Sequence, residues 1–427
     1  MVIKRIILYS GILLSGSPLC AQKNTGIHAD DVSRVMNTLA ADDMKGRKTY
    51  SPEIDKAAAF IAAEFKAAGL EPLSGNSYLQ KFYMVHAEQQ SLTAKANGTE
   101  IDPKNIVLVT AEPETSINGT ADYTIEKIKE GENLYSKAMQ ALQNKKNTIV
   151  IIDKSFSDRF SRLASLKRNF FKTGANVLFI LGDTDLKDFS LTAKHTVKEN
   201  KLSNVAGLLP GKKLKNEFVI FSGHYDHLGI GTPDNGDSIY NGANDDASGT
   251  TAVIELAKYY KAKGNNERSI IFAAFTAEEV GGFGSQYFSK QLAPEKVVAM
   301  FNIEMIGTDS KWGKNSAYIT GYEKTSMGDI LQKNLKGSGF SFYPDPYPDQ
   351  QLFYRSDNAT LARLGVPAHT ISTSKMDNEP NYHKASDEVK TLDLNNMTEI
   401  IKSIAISAQS IISGKDTPTR VNTEALK

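Results

Sequence analysis

A single cysteine among 427 residues excludes a disulfide framework and any cysteine-based zinc site within one chain. Excess charge of one sign is also missing: 50 Lys and Arg stand against 49 Asp and Glu, a net charge of +1. With no basic cluster hidden inside that average, a nucleic-acid-binding surface is excluded. No stretch reaches the roughly 18 consecutive apolar residues that mark a transmembrane helix. Histidine is scarce, at seven residues, so each can be weighed singly. Any metal must then be held by His, Asp and Glu. What the chain does have is a hydrophobic content of 40%, ordinary for a folded protein and enough for a full core. Its length points to two domains, or to one large domain with an insertion.

Residues 1–21 read as an export signal: Lys4 and Arg5, an apolar run from Ile6 to Leu14, then small residues ending at Ala21. The residues before Cys20, Ser17-Pro18-Leu19, fit a lipoprotein cleavage box poorly, so cleavage after Ala21 is favoured over a lipid anchor. The expected location is periplasmic or secreted.

Beyond the signal, Val32, Val35, Met36 and Leu39 repeat at helical spacing, as do Ala58, Ile61, Ala62 and Phe65, with Gly69 as a stop. These helices (22–86) bracket a polar loop holding Gly46, Arg47 and Lys48. The block 87–200 is richer in Lys, Asn and Thr. It holds two buried-strand candidates, Thr148–Ile152 and Val177–Leu181, around a helix-like segment, Ser157–Phe171. This is either one βαβ unit or a small inserted domain; the lack of a catalytic constellation favours the insertion. From 201 to 413 strands and helices alternate, predicting an α/β fold: a mixed, mostly parallel central sheet with helices on both faces. Strands are expected at 217–222, 269–275, 300–303, 317–320 and 368–372, and helices at 249–263, 283–291, 325–335, 358–363 and 397–412. Residues 414–427 read as a loose polar tail.

The chemistry-bearing residues lie between 224 and 383. His224-Tyr225-Asp226-His227 directly follows an apolar strand, and in parallel α/β sheets sites form outside the carboxyl ends of strands. His224 and Asp226, two apart, would point the same way on a continued strand, letting Asp226 accept the second N–H of His224. Asp245 and Asp246 sit in a loop bounded by Gly242 and Gly249 just before a helix. Helix capping explains one acid there but does not need two. Glu278-Glu279 follows the next strand; the pair suits a helix N-terminus, or else one glutamate binds a metal while its neighbour handles a proton. Glu304 ends an apolar strand, where a carboxylate is costly unless paired or metal-bound. Tyr382-His383 lies in a polar loop before Ser386-Asp387-Glu388. Together these supply two histidines, three carboxylates and a spare glutamate, the set that two divalent ions sharing one carboxylate would need.

In this order, Gly223-His224-Tyr225-Asp226-His227, Gly242 to Gly249, Ala277-Glu278-Glu279, Asn302 to Gly307, Arg355-Ser356-Asp357 and Tyr382-His383 resemble the di-zinc exopeptidases of metallopeptidase family 28. That family includes bacterial aminopeptidases and glutamate carboxypeptidase II. The resemblance covers roughly 203–413, and more loosely the helices between Ala40 and Phe82. It implies two Zn2+ per chain. His224 and Glu304 would bind one, Glu279 and His383 the other, with Asp245 bridging and a cis peptide bond after it. Glu278 would be the general base, Asp226 the partner of His224, and Tyr382 the donor to the oxyanion. Arg355, Asp357 and Asn358 would contact substrate, and the block 87–200 stands where many relatives carry a protease-associated domain. Two departures matter: Glu304 replaces the aspartate of many aminopeptidases of the family, and Asn358 replaces a frequent histidine. The implied activity is hydrolysis of a terminal peptide bond in a peptide or small aminoacyl substrate, first of all as an aminopeptidase. Alternatives on the same fold are a carboxypeptidase using Arg355, a glutaminyl-cyclase-like acyltransferase, or a non-catalytic binding relative. Of the remaining histidines, His227 is expected behind a ligand or at the rim of the site and His369 as a satisfied core residue.

Overall fold

The computed structural model describes residues 26–183 and 185–426; the expected signal at 1–21, including Cys20, lies outside them. Among the described residues no helix is long and apolar enough to cross a membrane.

The N-terminal helices follow from their patterns. Ala29–Leu39 buries Val32, Val35, Met36 and Leu39 and carries Asp30 and Asp31 in its first turn, where the helix dipole favours them. Pro52–Ala67 starts on Ser51, whose hydroxyl accepts from the Ile54 N–H, and Pro52 occupies the first turn, where no N–H is needed. Gly69, at φ 77°, turns the chain out of it.

The main sheet is mixed. Its strands run in the order Ser341–Pro344, Ser316–Ile319, Ala368–Ser372, Val297–Ile303, Leu214–His224, Arg268–Phe275, Ser190–Leu209 and Leu79–Ala96. The four strands from Ala368–Ser372 to Arg268–Phe275 are mutually parallel. Outside them the pairing turns antiparallel, at Ser190–Leu209 on one side and Ser316–Ile319 on the other. Arg268–Phe275, Val297–Ile303 and Ala368–Ser372 are buried from end to end and Leu214–His224 from Val219 on, hence the apolar runs that dominate the first two. Phe221 stacks on Phe272 and Phe301 within the sheet and on Tyr260 of the helix Gly249–Lys263 above it. Burying each such ring contributes about 2–3 kcal/mol.

Between 106 and 181 lies a separate four-stranded sheet, ordered Ile106–Val109, Val177–Leu181, Thr148–Ile152, Thr124–Ile128. Two of its parallel pairs are joined by crossovers, one through the helix Leu134–Gln143. The other crossover corrects the expected helix over 157–171. It is one α-turn, Ser157–Phe160, then a tighter 3₁₀ stretch, Ser161–Lys167, then a short strand, Phe170–Phe171. Phe160, Leu163 and Leu166 are buried at the expected spacing, but three residues per turn carry them there. Leu79–Ala96 and Ser190–Leu209 pair antiparallel from Leu79 opposite Val205 out to Lys95 opposite Ser190. They run without a break through positions 87 and 200, so the secondary structure itself has no boundary there.

The segment expected as a loose tail is docked. Arg420 donates to the carbonyls of Val297 and Pro294, Val421 is buried, and Arg268 reaches back to Asp416 O and Thr417 Oγ1.

His369 is a core residue, as expected. Nδ1 donates to Thr320 O and Nε2 accepts from Thr325 Oγ1, so the neutral ring is fully paired. Burial pushes its pKa down to about 4, from an ordinary 6.5. A depressed pKa contributes stability that is present above pH 6.5 and is lost as pH falls through 4; the full shift corresponds to about 3 kcal/mol. The difference in unfolding free energy between the wild type and His369→Gln should therefore shrink between pH 7 and pH 4 in urea titrations. A constant difference across that window contradicts a neutral buried ring.

Candidate metal centre

Four adjacent parallel strands deliver the candidate ligands at one edge of the sheet. His224 ends Leu214–His224, Glu304 follows Val297–Ile303, Glu278 and Glu279 follow Arg268–Phe275, and the chain after Ala368–Ser372 leads to His383. Asp245 comes from the loop ahead of Gly249–Lys263. Ala277, Met305 and His383 all hold positive φ values, between 54° and 60°. Left-handed conformations cost a non-glycine residue about 1 kcal/mol or more and gather at functional sites. At Ala277 and Met305 they turn the chain sharply as it leaves its strand; His383 lies further on, in the loop after Ala368–Ser372.

The loop is held by backbone hydrogen bonds. Asp246 accepts from the N–H groups of His224 (3.1 Å), Gly249 (2.9 Å) and Met305 (3.2 Å), joining three segments of the site. Burial pushes its carboxyl well above the usual range. Asp387 accepts from Asn244 N and Asp245 N at 2.8 and 3.0 Å, and the peptide bond between Asp245 and Asp246 is cis. A Cβ on Gly249 would meet the Ile303 carbonyl oxygen at 2.0 Å. Since that contact is backbone, no side-chain movement relieves it. Gly249→Ala should lower stability by about 1–3 kcal/mol and weaken metal retention, both read by thermal unfolding with and without chelator. An unchanged melting temperature would show that the loop and strand end can separate freely.

The distances among the candidate ligands are short and regular. His224 Nε2 lies 3.2 Å from Asp245 Oδ1, while His383 Nε2 lies 3.2 Å from both Asp245 Oδ2 and Glu279 Oε2. A tetrahedral zinc with bonds of about 2.0–2.1 Å separates its ligand atoms by about 3.3 Å. Ligand atoms of His224, Asp245 and Glu304 fall within 4.8 Å of one another, and so do those of His227, Asp245 and Glu279. The two oxygens of Asp245 thus face different histidines. Three buried atoms here have no hydrogen-bond partner: His224 Nε2, His227 Nε2 and Glu304 Oε2. Leaving such atoms unpaired is costly, and a cation bound among them removes that cost.

Electrostatics agree. Burial opposes charge on His224, but the carboxylates around it, led by Asp245, hold its pKa well above the ordinary value. His383 is likewise pushed up to about 10, with Asp245 and Glu279 outweighing burial. Burial raises Glu304 to about 7 and lifts Glu278 well above the usual range. The pocket concentrates negative charge and draws protons, or a cation, into its centre.

Asp226 differs from its expected arrangement. His224 Nδ1 donates to the Asp226 main-chain carbonyl at 3.2 Å, with the Asp226 carboxylate 3.9 Å away. The carboxylate instead accepts from Glu278 N, Glu279 N and Thr49 Oγ1. It therefore fixes the two-glutamate turn, while its own carbonyl fixes the His224 ring. Of the two places expected for His227, behind a ligand or at the rim, the structure has the first: it is buried, and its Nδ1 lies 2.7 Å from Glu279 Oε1. Tyr382 stacks on His383 with ring centroids 3.9 Å apart, and burial raises its phenol. Arg355 lines the cleft beside Glu278. Asp357 is 2% exposed, neither carboxylate oxygen has a hydrogen-bond partner, and burial pushes it up to about 6. Asn358 does not reach the cleft: its amide donates to Phe353 O and Ala368 O and accepts from Thr370 Oγ1. The strand below leaves those groups for it to pair, so its side chain is turned inward.

Sequence reasoning passed over Arg47. It is fully buried and donates to the carbonyls of Tyr225, Leu39, Asn241 and Gly242. The only local signal was its place beside Gly46 in a loop between two helices.

A mixed α/β sheet with His and carboxylate ligands gathered at the carboxyl ends of its parallel strands defines a candidate metallohydrolase. Residues 204–407 match the model of Peptidase family M28. Leucine aminopeptidase 1 of Neurospora crassa is 26% identical over 228 residues, covering 50% of this chain and 54% of its own. Aminopeptidase YwaD of Bacillus subtilis is 26% identical over 239 residues, covering 54% of this chain and 47% of its own. The chain thus spans about half the length of the curated relatives it matches. Among solved structures, the aminopeptidase from Aneurinibacillus sp. strain AM-1 superposes with a TM-score of 0.53 at 19% identity, over 94% of this chain and 97% of that one. BSAP, a zinc aminopeptidase from Bacillus subtilis, gives 0.54 at 17% identity, over 92% and 98%. At these identities the two structures establish a shared fold.

Proposed function

We propose that the chain is a zinc-dependent aminopeptidase that removes an apolar residue from the free N-terminus of a peptide. The observation that carries this reading is the pair of 3.2 Å contacts from the two oxygens of Asp245 to His224 and His383. That arrangement suits a carboxylate bridging two ions, with Glu304 completing one set and Glu279 the other, and His227 holding Glu279 in place. Zinc bound there would supply Lewis acidity toward the scissile carbonyl and ease the ionisation of water.

The remaining roles belong to the protein. Glu278, raised by burial and by the nearby charges of Glu304, Asp357 and Glu279, takes a proton from the attacking water and returns it to the leaving amine. The main-chain N–H groups of Glu278 and Glu279, donating to the Asp226 carboxylate, aim it. Tyr382, packed on His383, donates to the developing oxyanion. Asn358 is assigned to packing. The cleft, of about 550 Å³, is walled by Met305, Tyr318, Leu352 and Met376, which suits an apolar first side chain. The relatives named leucine aminopeptidase favour the aminopeptidase over the carboxypeptidase direction.

The test is a panel run with zinc-loaded protein: leucyl, lysyl and glutamyl anilides, N-acetyl-leucyl anilide, and peptides beginning with Gln. Leucyl anilide should be cleaved at least about tenfold faster than the charged ones, and the acetylated substrate left intact. Pyroglutamate formation without release of an amino acid, or cleavage of the blocked substrate, would overturn this reading.

A further inference from the structure

The cleft does not end at Glu278. Glu278, Arg355 and Ser356 also line a groove of about 1650 Å³ that runs to Tyr135, Met139 and Lys290. These last three in turn line an apolar pocket of about 1170 Å³ that ends at Phe171 and Phe283. The path thus leads from the candidate catalytic glutamate to the junction with the 106–181 sheet. Tyr135 (57% exposed), Val280 (42%) and Leu364 (46%) line it, three of the seven large apolar side chains exposed among the described residues. Such clustering marks a surface that binds something.

The charge along this path changes. In the groove Glu278 and Asp357 stand with Arg355 and Arg363, but the far pocket is lined by Lys145, Arg168 and Lys290 with no carboxylate. The Lys290 ammonium sits 4.7 Å above the Phe171 ring, and burial together with Lys145 lowers its pKa. A half-buried cation over an aromatic floor, with an exposed Lys145 also lining the pocket, suits a carboxylate attached to an apolar group. Direction follows from chemistry: since Glu278 returns its proton to the leaving amine, the leaving part of the substrate must extend past Glu278, into this groove.

We propose that the groove binds the leaving portion of the peptide, seating an apolar side chain against Phe171 and Phe283 and its free C-terminal carboxylate at Lys290 and Lys145. This rests on the aminopeptidase reading and adds a preference for short peptides with a free C-terminus. The experiment compares Leu-Gly(n)-Phe peptides of increasing length with their C-terminal amides. For zinc-loaded wild type, kcat/KM should favour the free acid by about tenfold or more at one length. In Lys290→Met/Lys145→Met that ratio should collapse toward one. A ratio near one in the wild type at every length, or one the double variant leaves unchanged, overturns the proposal. A parallel calorimetric titration uses Glu278→Gln, which should bind the same pairs without turnover. Discrimination against the amide in binding, with no hydrolysis by the wild type, keeps the groove and removes the aminopeptidase; hydrolysis without discrimination does the reverse.

Discussion

Glu278→Gln is expected to lower kcat by about 10³-fold, within the 10²–10⁴ range of a positioned general base, while the zinc content of the protein stays at the wild-type level. Glutamine keeps the shape of the side chain and the backbone bond from Glu278 N to Asp226. It also removes one negative charge from a buried cluster of them, so the fold should be no less stable. Only the ability to carry a proton is lost, worth about 4 kcal/mol of the barrier. Turnover rates with leucyl anilide, read beside metal analysis of the same preparation, settle the point. Wild-type rates in the variant would remove Glu278 from the mechanism; loss of zinc would make it a ligand instead.

Asp245→Ala should empty both metal positions together and lower activity by more than about 10³-fold. The two oxygens of Asp245 face different histidines, so a single side chain serves both sets. Its backbone is held independently, through Asp387 and Asp246, so the loop should survive the change. Truncating Glu304 or His383 should instead weaken mainly one position. Metal content measured against free zinc concentration separates these cases. One zinc per chain bound with near wild-type affinity in Asp245→Ala would mean that Asp245 does not bridge.

The parallel half of the fold was legible because buried strands announce themselves. Thr148–Ile152 and Val177–Leu181 are runs of apolar and β-branched residues, and the helix Gly249–Lys263 is bounded by glycines at both ends. The long pair Leu79–Ala96 and Ser190–Leu209 was not, because much of it is a ribbon with one face in water. Lys, Thr and Glu alternate there with small apolar residues, and polarity hid the period of two. Within the site, the ligand types and their order showed in the sequence. The work done by main-chain groups did not: that Asp226 clamps Glu278 and Glu279, or that Asp246 draws three segments together, depends on backbone N–H groups that every residue carries. Asn358 is a related case, since its neighbours in sequence are groove residues while its amide pairs with Phe353 O and with Ala368 O and Thr370 Oγ1 of the strand beneath.

Arg47 carries one more consequence. Its guanidinium gathers carbonyls from positions 39, 225, 241 and 242, chain segments almost two hundred residues apart. Leaving those carbonyls bare in a dry interior costs about 1–3 kcal/mol apiece. The stretch that carries the family resemblance begins at residue 204 and contains every candidate ligand, yet it lacks the donor that closes its own first two loops. During synthesis the arginine emerges long before its acceptors at 225, 241 and 242, so the candidate metal pocket, made in the last half of the chain, closes around a pin supplied by the first.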